Sequence, residues 1–375
     1  MDTAQNKMNL GRAFWERLRA GDQRPALHKP IDPQGNVGML NAKQLQARLI
    51  EIAIGLQAKG LGPRQRLLLA CPQRSEATLT ALAAWMLGAV TIHIEPDMAP
   101  ELLGNALERA KPAWILADSF KTIAALELAS DTAVQNATLI LTQGAGDASA
   151  RTLDFGAIAE EGRKLRAVKV KELGKLIFSV PPEAHAMIVY WKQGDQLQAA
   201  ALDHAEVLAA MIPAPASWNL KPGAVALVET GLGDRAAMLA VLRLLYHGAA
   251  LAFANGHNNI TIAQGARPNL IVINARALDL LLDNADKHLN ASPDVRAKLK
   301  QGLGWLVSQR GDNNNPDDAL GEVANTVDGW LERKLADELV AVLGGRLERV
   351  WVVAGRLSPD AEVLLRTAEV PAHVD

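Results

Sequence analysis

The chain has 375 residues, of which 49% are hydrophobic and 21% charged, with a formal net charge of −2. That balance describes a globular protein with a sizeable core and excludes a disordered chain. It gives no electrostatic footprint for nucleic acid or an anionic membrane, so neither is expected as a partner.

Cys71 is the single cysteine, which excludes an internal disulfide and a cysteine-based zinc site. A lone cysteine fits a reducing compartment, and a cytoplasmic location is expected. Residues Met1 to Leu10 carry Asp2, Gln5, Asn6 and Lys7 and show no apolar signal-peptide core. The most membrane-like stretch, Ala236 to Ala254, holds Arg243 and His247 near its middle. An Arg in hydrocarbon costs a few kcal/mol, so a buried helix followed by a buried strand is the better reading and no membrane span is expected.

Helices and short apolar strands alternate along the first 140 or so residues. Lys43 to Lys59 places Leu45, Leu49, Ile52 and Leu56 at helical spacing and stops at Gly60-Leu61-Gly62-Pro63. Arg66 to Cys71 reads as a buried strand, and Ser75 opens a helix running to Leu87. Gly88 ends that helix before the strand Val90 to Ile94. A further helix, about Glu101 to Ala110, leads to the strand Ala113 to Ala117.

The second half repeats the idiom. Strands are expected at Ala186 to Tyr190, Ala224 to Val228, Ala249 to Phe253, Leu270 to Ile273 and Val350 to Ala354. Helices are expected at Asp203 to Met211, Arg235 to Tyr246 and about Val327 to Val342, the last preceded by a polar loop from Gly311 to Asp318. The resulting fold class is α/β, with two mostly parallel sheets and helices packed between and outside them. The expected division is a first α/β sub-domain over residues 1–180 and a second over 181–375.

The order of these segments resembles the adenylate-forming superfamily, specifically long-chain acyl-CoA synthetases. Gly55-Leu56-Gln57-Ala58-Lys59-Gly60-Leu61-Gly62-Pro63-Arg64-Gln65-Arg66 is similar to the family's helix followed by GL-x-x-GDRV, and Trp85-Met86-Leu87-Gly88-Ala89-Val90 to its helix ending in GAV. Leu343-Gly344-Gly345-Arg346-Leu347, then Val350 to Val353, then Ala354-Gly355-Arg356-Leu357-Ser358 resemble LGGRL, a strand and GGAPLS. Ser292-Pro293 before a basic stretch resembles the long-chain branch.

In that family a strand ending in Tyr enters a TSGTTG-x-PKG loop, and a helix then begins near Thr-His. Glycines let the backbone approach phosphate, hydroxyls and N–H groups donate to it, and the Lys adds charge. The corresponding slot here keeps the flanks Tyr190 and His204. Between them stand Trp191, Lys192, Gln193, Gly194, Asp195, Gln196, Leu197 and Gln198, then an Ala run. One Gly survives, no Ser or Thr does, and Asp195 brings a carboxylate that repels a triphosphate.

The resemblance also implies a barrel, a YG-x-TE motif and a C-terminal lid, which are expected to be missing, and Glu229-Thr230-Gly231-Leu232-Gly233-Asp234 stands where the family has PL-x-H. Gly231 to Asp234 reads more simply as a turn with Asp234 as helix cap. His93 reads as a structural histidine and Cys71 as inert and buried. The histidines and carboxylates show no HExxH-like spacing, and Asn313 to Asp318 lacks the acids of an EF-hand loop.

The expectation is therefore a catalytically inactive synthetase relative that acts through protein–protein contacts, as a scaffold or regulator. A homo-oligomer or a protein partner, an active synthetase among the candidates, is expected, with no catalytic residue, cofactor or metal. The alternatives are an acyl, acyl-CoA or nucleotide binder, or a split or remodelled AMP-forming ligase. ATP, AMP or CoA would be a cofactor only under those alternatives.

Overall fold

The computed structural model describes residues 8–21, 25–31, 37–71, 75–95, 98–143, 151–213, 220–221, 223–229, 235–254, 258–291, 337–338, 340–353, 355–367 and 370–374. The described strands are β1 (Pro25–Ile31), β2 (Val37–Asn41), β3 (Arg66–Ala70), β4 (Val90–Ile94), β5 (Trp114–Ala117), β6 (Thr138–Leu141), β7 (Thr152–Asp154), β8 (His185–Gln193), β9 (Gln196–Asp203), β10 (Val225–Glu229), β11 (Ala250–Phe253), β12 (Leu270–Ile273), β13 (Arg349–Val352) and β14 (Ala372–Val374). The described helices are α1 (Leu10–Arg19), α2 (Ala42–Ala58), α3 (Ser75–Met86), α4 (Pro100–Ala110), α5 (Phe120–Ala129), α6 (Asp131–Gln135), α7 (Phe155–Ser179), α8 (His204–Met211), α9 (Arg235–Tyr246), α10 (Asn259–Ala266), α11 (Ala275–Ala291) and α12 (Pro359–Thr367).

The chain is α/β and its strands form two seven-stranded, mostly parallel sheets. It divides into two compact units, Met1–Ala224 with Thr230–Phe253, and Val225–Glu229 with Ala254–Asp375. The first unit contains one whole sheet, ordered β7-β6-β5-β3-β4-β8-β9. Its neighbours run parallel except β8 and β9, which form an antiparallel hairpin. Of the other sheet, β1, β2 and β11 lie in the first unit and β10, β12, β13 and β14 in the second.

Parallel strands buried on both faces have no polar side to alternate with, which is why β5 reads Trp-Ile-Leu-Ala and β12 reads Leu-Ile-Val-Ile, every residue buried. Strands β4, β12 and helix α9 match their expected bounds, and most other elements fall within a residue or two of them. The expected strand at Ala186 to Tyr190 is longer, continuing to Gln193. The polar loop at 311–318 and all but the end of the expected helix at Val327 to Val342 lie outside the described residues.

Within the first unit, α2 and the 25-residue α7 pack against one another through two glycines. A Cβ at Gly55 would meet the Ile158 carbonyl oxygen at 2.0 Å, and one at Gly162 would meet the Glu51 carbonyl oxygen at 1.7 Å. Both obstacles are backbone, so no side-chain rotation relieves them. Above this contact, α1 is anchored by Asn9. Its side-chain oxygen accepts from the Arg12 N–H at 2.8 Å, while its amide donates to the Ile177 and Val180 carbonyls at 2.8 and 2.9 Å.

The α2–α7 contact gives a direct test. Gly162→Ala forces the helices apart and is expected to lower stability by about 1–3 kcal/mol, the usual cost of overpacking a filled core. Chemical denaturation of the two proteins measures it; an unchanged midpoint would show that the helices do not meet this closely.

Candidate functional site

The residues between Tyr190 and His204 do not form an open loop. β8 runs through to Gln193, the chain turns on Gly194 and Asp195, and β9 returns beside it with Gln193 opposite Gln196 and Tyr190 opposite Ala199. Gly194 has φ +62°, a left-handed value that a side chain resists. Glycine leading a two-residue hairpin turn is the arrangement a type II′ turn requires.

The expected slot residues are thereby dispersed. Tyr190 is buried and Trp191 half-buried, while Lys192, Gln193, Gly194 and Asp195 are exposed around the turn. Burial pushes the Tyr190 hydroxyl pKa up, against the opposing pull of Arg66 and Arg109. His204 sits at the other end of the hairpin, next to Asp203, which pairs with His185. Five residues of extended strand, roughly 17 Å, separate His185 from Tyr190. The two flanks do not enclose one site.

His204 is fully buried at the start of α8, where Asp203 and Glu206 form a capping box. Its Nδ1 accepts the Leu10 N–H at 3.3 Å, which puts the ring proton on Nε2, and Nε2 is buried with no hydrogen-bond partner. Burial drives its pKa down to about 4, with Asp203 pulling weakly upward. It is a neutral structural histidine that ties α1 to α8. His93, buried on β4, likewise shares a 2.8 Å hydrogen bond with Thr91 Oγ1.

Sequence reasoning missed Glu95. The Lys192 N–H donates to Glu95 Oε2 at 2.7 Å, and the Glu95 N–H donates to the Tyr190 carbonyl at 3.0 Å. A backbone donor in the phosphate-loop slot is thus taken by a carboxylate of the chain itself. Glu95 and Asp195 put two carboxylates near this end of β8, with Lys192 between them in the sequence of the turn and Arg66 and Arg109 acting on Tyr190. No single residue signalled Glu95; the hairpin's one signal was Gly194-Asp195 directly after a strand run.

In the second unit, Glu229 ends β10 beside Ile273 of β12 and is buried. Asn259, at the start of α10, donates from Nδ2 to Glu229 Oε2 at 3.4 Å. Burial raises the Glu229 pKa to about 7, and that one long bond offsets little of it. The neighbouring Gly231 to Asp234 lies outside the described residues.

A cavity of about 570 Å³ opens in the first unit among β1, β2, α2, α3 and the start of α7. Leu27, Leu79 and Phe155 line it, with Arg48, Glu51 and Glu76 as its charged groups. Glu51 lies 3.6 Å from both Arg48 and Arg166. Among the described residues no three His, Cys, Asp or Glu side chains converge as metal ligands, and no helix is long and apolar enough to cross a membrane. Cys71 is buried, as expected.

The AMP-binding enzyme family matches residues 14–190, so the match ends at Tyr190, where the phosphate loop would begin. The matched stretch is somewhat under half of the chain. This adenylate-forming fold superposes on the adenylation domain of a carboxylate reductase from Mycobacterium chelonae, with a TM-score of 0.66 and 14% identity, over 100% of this chain and 59% of that one. It also superposes on the luciferase-like enzyme of the mealworm Zophobas morio, with a TM-score of 0.63 and 11% identity, over 100% of this chain and 72% of that one. A structure described as a long-chain-fatty-acid CoA ligase from Rhodopseudomonas palustris gives 0.61 and 14%, over 98% and 74%. No curated protein sequence matches the chain.

Glu229 yields a pH test. Its folded pKa, raised to about 7 from 4.5, means the folded chain holds this proton more tightly than the unfolded one. The stability it contributes is full below the unfolded value and is lost as pH rises through about 7. Glu229→Gln keeps the acceptor for Asn259 and removes the charge, so it is expected to be more stable than the parent at pH 8, by roughly 1–3 kcal/mol. The gap should close towards pH 5. Thermal melts across that range read it; equal melting points at pH 8 would contradict a desolvated carboxyl.

Proposed function

We propose that this chain is a catalytically inactive relative of the acyl-CoA synthetases that works through protein contacts, as a scaffold or regulator. The observation that carries the reading is the closed hairpin in the phosphate-loop slot. A phosphate cradle needs several unspent N–H groups on a glycine-rich backbone. Here the two-residue turn pairs Met187 to Gln193 with Gln196 to Leu202 in a β ladder, which spends the backbone groups of Gln196, Gln198, Ala200 and Leu202, and Glu95 accepts the Lys192 N–H. A triphosphate placed there would meet the carboxylates of Glu95 and Asp195 beside the Lys192 N–H that Glu95 already holds. At surface-like dielectric each close charge pair is of order a few kcal/mol, so the balance opposes binding.

Calorimetry with magnesium-ATP and with AMP is expected to give no binding heat at about 1 mM nucleotide, the weak limit of useful affinity. Pyrophosphate release with fatty acids should stay at background. Tight ATP binding accompanied by pyrophosphate release would overturn the proposal.

A second reading, a binder of acyl chains or acyl-CoA, is favoured by the 570 Å³ cavity, whose size and apolar floor suit a small ligand. A fluorescent fatty acid decides between the two. Saturable binding that Leu79→Trp weakens tenfold or more, by filling the cavity, would support the second reading; no binding leaves the first.

A further inference from the structure

We propose that the chain pairs with a second copy of itself through the outer edge of β9, joining two sheets across a two-fold axis. β9 is the terminal strand of its sheet and is eight residues long, about 27 Å at strand spacing. In a two-residue hairpin the residues flanking the turn exchange both backbone bonds, and the pattern alternates from there. Gln196, Gln198, Ala200 and Leu202 therefore face β8, while Leu197, Ala199 and Ala201 turn their N–H and C=O groups outward. The Asp203 N–H confirms the alternation, since it donates to Glu206 Oε2 at 2.9 Å and not to β8. Among the described residues, none hydrogen-bonds to the outward groups of Leu197, Ala199 or Ala201.

Sheet edges of this length are normally blunted by Lys, Pro or a bulge. From Gln196 to Leu202 this edge has none of them; the one register shift in its pairing lies beyond, between His185 and Met187. Gln196 to Leu202 carries no charge and no proline, the pairing with β8 keeps one register from Met187 to Gln193, and Ala199 and Ala201 are exposed.

The occupant is argued from self-complementarity. With the axis at Ala199, that residue faces its own counterpart and Leu197 faces the second copy's Ala201, so every outward N–H meets an outward C=O. The uncharged segment lies against itself, and alanine offers no bulk to hold the strands apart. An isologous contact of this kind closes at two copies and leaves no new edge. The register brings Asp195 towards Asp203 of the other copy at each end, so association should strengthen with salt. An edge pairing alone buries less than a standard stable interface, which places the dimer in the micromolar range.

The proposal rests on the reading that the chain works through protein contacts, but its test reads association only. Sedimentation of the full chain at about 1 to 100 µM is expected to show a monomer becoming a dimer, with tighter association at higher salt. Ala199→Pro removes one outward N–H and spares the ladder to β8; Ala199→Lys sets two ammonium groups across the axis. Each is expected to weaken dimerisation tenfold or more while far-ultraviolet dichroism stays unchanged, and Ala199→Lys keeps the test decisive should the proline variant fold poorly. A parent that is monomeric at 100 µM, or a folded Ala199→Lys protein that dimerises as the parent does, would overturn the pairing. Nucleotide binding would overturn the functional reading and leave the pairing untouched.

Discussion

A turn of two residues, Gly194 and Asp195, is the constraint from which the candidate site follows. With Gln193 opposite Gln196, the backbone on either side enters the ladder at once and no slack remains for a loop. Backbone N–H and C=O groups must be spent somewhere, and a β ladder and a phosphate cradle compete for the same ones. Between Tyr190 and His204 this chain forms the ladder. β8 is also clamped on its inner side. It pairs with β4 in parallel, and the Trp85 indole donates to the Ala186 carbonyl at 2.8 Å.

The rest of the first unit holds that clamp in place. The close approach of α2 and α7 at Gly55 and Gly162 brings the end of α7 to where Asn9 fastens α1. α1 in turn fastens α8 through the Leu10 N–H and His204. A histidine that stands where the family's helix begins serves here as a buried acceptor. Its neutral form is required, because an imidazolium at that position would be desolvated with only Asp203 to balance it. Conserving the frame of a site and conserving its chemistry are separate physical problems.

Much of the architecture was legible in the residues. Strands buried on both faces announce themselves as apolar runs, and β4 and β12 fall where the runs are. Helix α2 was visible from Leu45, Leu49, Ile52 and Leu56 and from its glycine stop. β9 was not, because Gln196 to Leu202 has neither the alternation nor the β-branched residues of a strand; its conformation is imposed by the turn and by β8. The antiparallel pair β1 and β2 was passed over for a similar reason, as was Glu95, whose role exists only once the hairpin brings Lys192 to it. The pKa displacement at Glu229 depends on the depth of β10 in its unit, which a single carboxylate after an apolar run does not reveal.

Backbone amide exchange across residues 190–203, followed by nuclear magnetic resonance at a concentration that keeps the chain monomeric, tests the hairpin most directly. The structure requires slow exchange at Gln196, Gln198, Ala200 and Leu202 and fast exchange at Leu197, Ala199 and Ala201, unaltered by magnesium-ATP. Uniformly fast exchange from Trp191 to Gln198 in the free protein, slowed when the nucleotide is added, would instead reveal an open loop that closes on phosphate and would contradict the account.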